Sequence, residues 1–174
     1  LSVARSSWPD AGGKGQGVAL ALERWAPGSA AVAHFLGGDT GSCVEEELRA
    51  AGVEQVVQRV AQPTRTCTTL VAAGQAGGGT ELIDPSGAIS ESELAGLLDA
   101  LGAYRRTARV GGVALCGTTP PGAASLYAAI AEQLLCETAE GGPQDGPVLL
   151  LDGHKQVEAL LATGRVDALK INAD

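Results

Sequence analysis

The chain has 174 residues, 45% of them hydrophobic and only 3% aromatic, with a formal net charge of −8. That apolar fraction suits a packed domain and excludes a disordered one, and the length fits one domain whose core is built from Ala, Val, Leu and Ile. The negative balance excludes nonspecific nucleic-acid binding, which needs Lys and Arg to neutralise phosphates, and no apolar run reaches the ~20 residues of a membrane-spanning helix.

Val18, Leu22, Trp25 and Ala26 recur on one helical face after the glycines at 12, 13 and 15, which predicts a first helix. Residues 31–36 form a short buried-strand candidate closed by Gly37-Gly38-Asp39, and Val44, Leu48 and Ala51 mark a second helix ended by Gly52. Residues 55–60, 66–72 and 80–83 are Thr/Val-rich and punctuated by Pro63 and Gly77-Gly78-Gly79. They predict antiparallel strands of a small sheet, a β excursion over 53–83.

Ser90 and Glu93 have capping-box spacing ahead of a helix carrying Leu94, Leu97, Leu98 and Leu101. A strand over 110–116 follows, then a helix striped by Leu126, Ile130 and Leu134 and entered through Pro120-Pro121. A strand over 148–151, a helix with Val157, Leu160 and Leu161 stopped by Gly164, and a strand over 168–171 complete the chain. Continuous apolar strands alternating with helices predict an α/β fold with a parallel sheet covered on both faces.

Ligands of such sheets bind beyond the carboxyl ends of the strands. The segments there are Gly37-Gly38-Asp39, residues 117–122, Asp152-Gly153-His154 and Asn172-Ala173-Asp174, a polar rim suited to a phosphorylated or hydroxylated small molecule. Gly12-Gly13-Lys14-Gly15 can offer amide N–H groups and an ammonium to an anion, or act as a flexible lead-in turn; it is not a Walker A loop. Arg65, between Thr64 and Thr66, is either an anion clamp or a solvated edge-strand cation. Lys170 sits inside an apolar strand, where an unpaired charge is costly, so it is expected at the rim or on a ligand. His34, between Ala33 and Phe35, is expected to pack, and His154 to face solvent from a turn.

Cys43, Cys67, Cys116 and Cys136 are scattered without metal-ligand spacing, which predicts free thiols and a reducing, intracellular setting, cytoplasmic or organellar. The sequence starts at Leu1 and contains no Met, so a targeting segment would not be visible in it.

In their order, these segments resemble the ribokinase-like, or pfkB-type, carbohydrate kinases, and most of all the 1-phosphofructokinase and tagatose-6-phosphate kinase branch. Residues 12–19, GGKGQGVA, resemble its G-G-K-G-x-N-V-A, and residues 35–41, FLGGDTG, its F-L-G-G-x-x-G. Thr64-Arg65 and Thr80-Glu81 match its T-R and T-E lid strands. Residues 116–122, CGTTPPG, resemble S-G-S-L-P-P-G, and residues 169–172, LKIN, resemble I-K-P-N.

The resemblance implies a three-layer αβα fold with a mostly parallel sheet and a small β lid. It also implies transfer of the ATP γ-phosphate to a sugar or sugar phosphate with Mg²⁺. Gly12, Gly13, Lys14, Arg65, Gly117 and Thr118 would bind the sugar phosphate, and Lys170 and Asn172 would face the nucleotide. No metal ligand is assigned, and the lid offers a surface for a homodimer.

Departures accompany the match. Gly17 stands where the family has a sugar-contacting Asn, Thr69 where a Lys is usual, and Ile171 where Pro is usual. The sequence reaches Asp174 without the Glu that completes N-x-x-E or the G-A-G-D segment with the catalytic Asp, so residues 1–174 are expected to be a partial kinase domain, inactive alone. A catalytically dead sugar-phosphate-binding or regulatory protein is the alternative, and a nucleoside kinase of the same fold a third reading.

Overall fold

The computed structural model describes residues 10–71, 79–135, 147–153, 155 and 157–171. Cys136, His154, Asn172, Asp174, Gly77-Gly78 and the side chain of Leu134 lie outside the described residues.

The chain opens with α1 (Lys14–Trp25), β1 (Ala31–Leu36), α2 (Gly38–Ala50) and β2 (Glu54–Arg59). β1 and β2 pair in parallel, with Val32 opposite Gln55 and His34 opposite Val57. This βαβ unit corrects the expectation for the strand at 55–60. It joins its predecessor through a helical crossover, and only the next two strands make the small antiparallel sheet. These are β3 (Cys67–Leu70) and β4 (Thr80–Ile83), with Thr69 opposite Glu81.

The capping box at Ser90 is complete: its hydroxyl accepts from the Glu93 amide and the Glu93 carboxylate accepts from the Ser90 amide. It starts α3 (Glu91–Thr107), whose Leu97 and Leu101 are buried. β5 (Gly112–Cys116), α4 (Leu126–Leu135), β6 (Val148–Asp152), the short α5 (Glu158–Leu161) and β7 (Ala168–Lys170) follow. β5, β6 and β7 form a second parallel sheet, in that order.

Layering follows from side-chain alternation. Val32 and Val53 turn toward Ala19 of α1 and Leu48 of α2, whereas Val56 turns toward the opposite cluster, which contains Leu97 and Leu101. That cluster continues through Leu115 and Leu151 of the second sheet to Ile130 and Leu160. The result is a three-layer α/β arrangement with an added antiparallel ribbon. Its buried hydrophobic residues are Ala, Val, Leu and Ile, with Tyr127 as the sole aromatic among the described residues.

α1 departs from its expected face. Trp25 is 85% exposed and Val18 also faces outward, while Ala19 is the buried residue. Val18 and Leu22 line an open cavity instead of a closed core.

Candidate functional site

A cavity of about 1440 Å³ runs from Gly12-Gly13 and the first turn of α1 along β1 and β5, and Gly12, Gly13, Lys14, Arg65, Gly117 and Thr118 all lie on its wall. Every residue expected to bind substrate therefore borders one space. Its volume exceeds the ~300–1,000 Å³ of ordinary ligand pockets, as befits a wide cleft.

One margin of the cavity lies where strands end. Gly13 holds φ at +117°, a conformation that disfavours any L side chain, and lets the loop turn into α1 directly before Lys14. The Lys14 ammonium donates to Asp152 Oδ1 at 3.1 Å, linking the first helix to the last residue of β6. Lys170, from β7, donates to the same oxygen at 3.2 Å. The amide of Gly117 donates to the Asp152 carbonyl at 2.8 Å, which fixes the loop after β5 against the end of β6.

These contacts set the local protonation chemistry. The Lys14 hydrogen bond chiefly holds the Asp152 carboxyl below the usual carboxylate range; burial opposes it, and Lys170 adds to the lowering. Burial, with the Asp152 charge behind it, pushes the Cys116 thiol up. Tyr127, whose hydroxyl donates to the Cys116 carbonyl at 2.8 Å, is pushed up to about 12, chiefly by burial. The strand ends therefore offer two ammonium groups beside the cavity and, at Cys116, no ready thiolate at neutral pH.

The other wall depends on Thr64. Its Oγ1 accepts from the Gly37 amide at 3.1 Å and its amide donates to the Gly37 carbonyl at 2.8 Å. Thr40 donates its hydroxyl to the Thr64 carbonyl at 2.6 Å. Glycine is required at 37 because a Cβ there would run into the backbone carbonyls of Val60 and Gln62. The glycine-rich turn after β1 thus grips the residue before Arg65. Arg65 lies just ahead of β3, not within a strand as the sequence suggested, and donates to Ser86 Oγ at 3.0 Å.

His34 is buried, as expected, and its pKa is lowered to about 4, mainly by desolvation. Its Nδ1 lies 3.3 Å from Gln16 Nε2, which ties β1 to the first turn of α1. Lys170 proves exposed on the edge of its sheet, so the burial cost expected from its apolar neighbours does not arise; its rim position does. Cys43, Cys67 and Cys116 are free thiols. Among the described residues no three His, Cys, Asp or Glu side chains cluster as metal ligands, and no helix is long and apolar enough to cross a membrane.

Asp152 is the residue that sequence reading underweighted. It was visible as a carboxylate closing the Val-Leu-Leu-Leu strand, but its lysine partners come from positions 14 and 170, and only the order of the sheet brings all three together.

Comparison with known proteins places this geometry. Residues 3–174 match the family described as "pfkB family carbohydrate kinase". No individual curated protein matches the sequence. Among solved structures, the tetrameric inhibited form of phosphofructokinase-2 from Escherichia coli superposes with a TM-score of 0.68 at 22% identity, over 89% of this chain and 47% of that one. The same enzyme in complex with fructose-6-phosphate gives 0.68 at 21% identity, over 87% of this chain and 46% of that one. A possible 1-phosphofructokinase from Thermotoga maritima gives 0.69 at 18%, over 93% and 51%. At these identities the likeness establishes the ribokinase-like fold, and the chain spans about half the length of the proteins it matches.

Proposed function

The chain belongs to the pfkB family of carbohydrate kinases, and from that premise we propose that the whole protein moves the γ-phosphate of ATP to a hydroxyl of a ketohexose phosphate. The observation that carries the reading is the convergence of Lys14 and Lys170 on the Asp152 carboxylate at the strand ends, with Lys14 and Gly117 on the wall of the cavity that Arg65 also borders. Phosphoryl transfer is largely a matter of positioning and of neutralising charge, and cations on both sides of a glycine-lined rim supply those needs.

In this reading the loop at 12–14 and Arg65 hold the phosphate of the sugar, with the grip of Gly37 and Thr40 on Thr64 setting where the guanidinium can reach. Lys170 faces the nucleotide, a role that the family motif also gives to Asn172, which lies outside the described residues. The Asp152 carboxylate is engaged by two lysines, so Mg²⁺ would be held by nucleotide phosphates and by other residues; when bound it would neutralise phosphate charge. The β3–β4 ribbon closes over the sugar and excludes water. It also leaves Leu70 and Leu82 exposed on one face and Ile83 on the other, and a second copy's ribbon can pack on the Leu70–Leu82 face.

Calorimetry with fructose 6-phosphate and fructose 1-phosphate tests the site. Lys14→Ala and Arg65→Ala are each expected to weaken binding about tenfold or more, the scale of a lost charge-assisted hydrogen bond. Binding that survives both changes sinks the assignment. These 174 residues alone are expected to show no ATP turnover.

A second reading, a catalytically dead binding or regulatory protein, is supported by Gly17. No atom lies within 4 Å of where its Cβ would stand, so an Asn side chain would fit and its hydroxyl contact is simply missing. Gly17→Asn is expected to tighten fructose 6-phosphate binding several-fold, as one net hydrogen bond would. Binding by the whole protein without turnover favours the second reading.

A further inference from the structure

We propose that Asp152 is a displaceable counter-ion shared by Lys14 and Lys170, standing where an oxygen of a phosphate dianion sits when the cleft is loaded, and that its release couples the two lysines. The inference deepens the reading above, because it takes Lys14 as a phosphate-binding group.

The argument starts from one oxygen. Asp152 Oδ1 accepts from Lys14 Nζ at 3.1 Å and from Lys170 Nζ at 3.2 Å, so two ammonium groups stand no more than about 6 Å apart with one carboxylate oxygen between them. Without an anion in that position the lysines would repel each other.

The three side chains are unequally fixed. The Asp152 side chain is 15% exposed and short, its carbonyl is bonded to Gly117, and its backbone is paired with Cys116 on one side and Lys170 on the other. Lys14 and Lys170 are 48% and 60% exposed on long flexible stems. When a stronger anion arrives, the lysines swing and the aspartate stays.

A phosphate dianion carries more charge than a carboxylate and several acceptor oxygens, so it can bridge both lysines at once. Asp152 then acts in two ways. It holds the lysines close together in the empty cleft, and it competes with the incoming anion for them. Because both lysines share the same oxygen, an anion that takes one alters the hold on the other, which is linkage between the two ammonium groups. Asp152 is a positioning residue here; it is assigned no chemistry.

The test uses inorganic phosphate as the probe, by calorimetry on the wild type and on Asp152→Asn, which keeps an acceptor oxygen and removes the charge. Tighter binding to the variant is expected, by about threefold to tenfold in dilute buffer, with most of the difference screened away in ~1 M salt. In parallel, the Asp152 carboxyl is followed by ¹³C NMR in the wild type, which requires no variant to fold. Saturating phosphate is expected to raise its pKa toward the ordinary carboxylate value as the lysines leave. Lys170→Gln is expected to raise it partway without phosphate.

Phosphate affinity that is equal or weaker in Asp152→Asn overturns the proposal. So does phosphate binding that leaves the Asp152 titration unmoved, or phosphate binding to neither protein. If inorganic phosphate behaves as expected and neither fructose phosphate binds, the shared counter-ion stands and the sugar-phosphate reading falls.

Discussion

The cluster between the second sheet and helices α3 to α5, and the β3–β4 ribbon, differ in what holds them. In the first, Leu97, Leu149, Leu151 and Leu160 are almost wholly removed from water. In the second, all eight strand residues are exposed. The ribbon is tied down by a few polar contacts: Asp84 donates its amide to the Thr66 carbonyl at 3.1 Å, its carboxylate accepts from the Thr66 amide at 3.3 Å, and Arg65 reaches Ser86. A two-stranded sheet of this size is marginal by itself. The cluster therefore carries the stability, while the ribbon's position is set by weak contacts that a ligand or a second copy can override.

The largest effects should fall on the buried side of that contrast. Leu151→Ala removes a side chain with no measurable exposure and should cost about 3 kcal/mol or more by denaturant titration, the usual scale for a buried Leu. A cost near zero would mean that the two sheets do not share one core.

Acid should reveal the His34 contact beneath α1. Folding lowers its pKa from an ordinary value of 6.5 to about 4, so the unfolded chain takes up a proton that the folded one refuses. Stability is then fully present above pH 6.5 and falls progressively as the pH drops to about 4, by a total of about 3 kcal/mol from this one group. His34→Leu should flatten that part of the profile even if it changes stability at pH 7. An unchanged slope would remove His34 from the account. The cap of α3 comes next: Ser90→Ala should cost about 1 kcal/mol, since the Ser90 hydroxyl accepts the Glu93 amide.

The same contrast explains what the sequence could reveal. Long periodic segments with punctuation, such as α3 behind its capping box, were legible because local chemistry decides them. Strand β2 was misassigned because a short run around Val56 and Val57 fits either sheet direction. The overlooked signal was α2 itself, a helical crossover that makes β1 and β2 parallel neighbours. Trp25 was misplaced because periodicity shows that a helix has an apolar stripe, not whether the stripe meets a core or a cleft; here Val18 and Leu22 border open space. That Gly12, Gly13, Lys14, Arg65, Gly117 and Thr118 border one cavity was legible because their motifs stand in the family's order along the chain. Asp152 was underweighted because its pairing with Lys14 spans 138 positions and depends on the assembled sheet.

The smallest stability effect is expected in the ribbon, and it separates packing from association. Leu82 and Ile83 are more than half exposed, so Leu82→Ser and Ile83→Ser remove little buried surface within one chain and should each move its stability by no more than about 0.5 kcal/mol. Leu82 shares one face of the ribbon with Leu70 and Ile83 lies on the other, and exposed side chains of this size on a sheet that contributes little to the core are costly to leave in water unless something covers them. If a second copy does so, the paired substitution should dissociate the assembly in sedimentation while the thermal midpoint at matched low concentration barely moves. A large loss of stability in the monomer would instead show that these side chains pack within their own chain, and the contrast between core and ribbon would dissolve. Unchanged stability with unchanged association would leave the ribbon as a lid alone, and fructose 6-phosphate binding should then be the property that the two substitutions weaken.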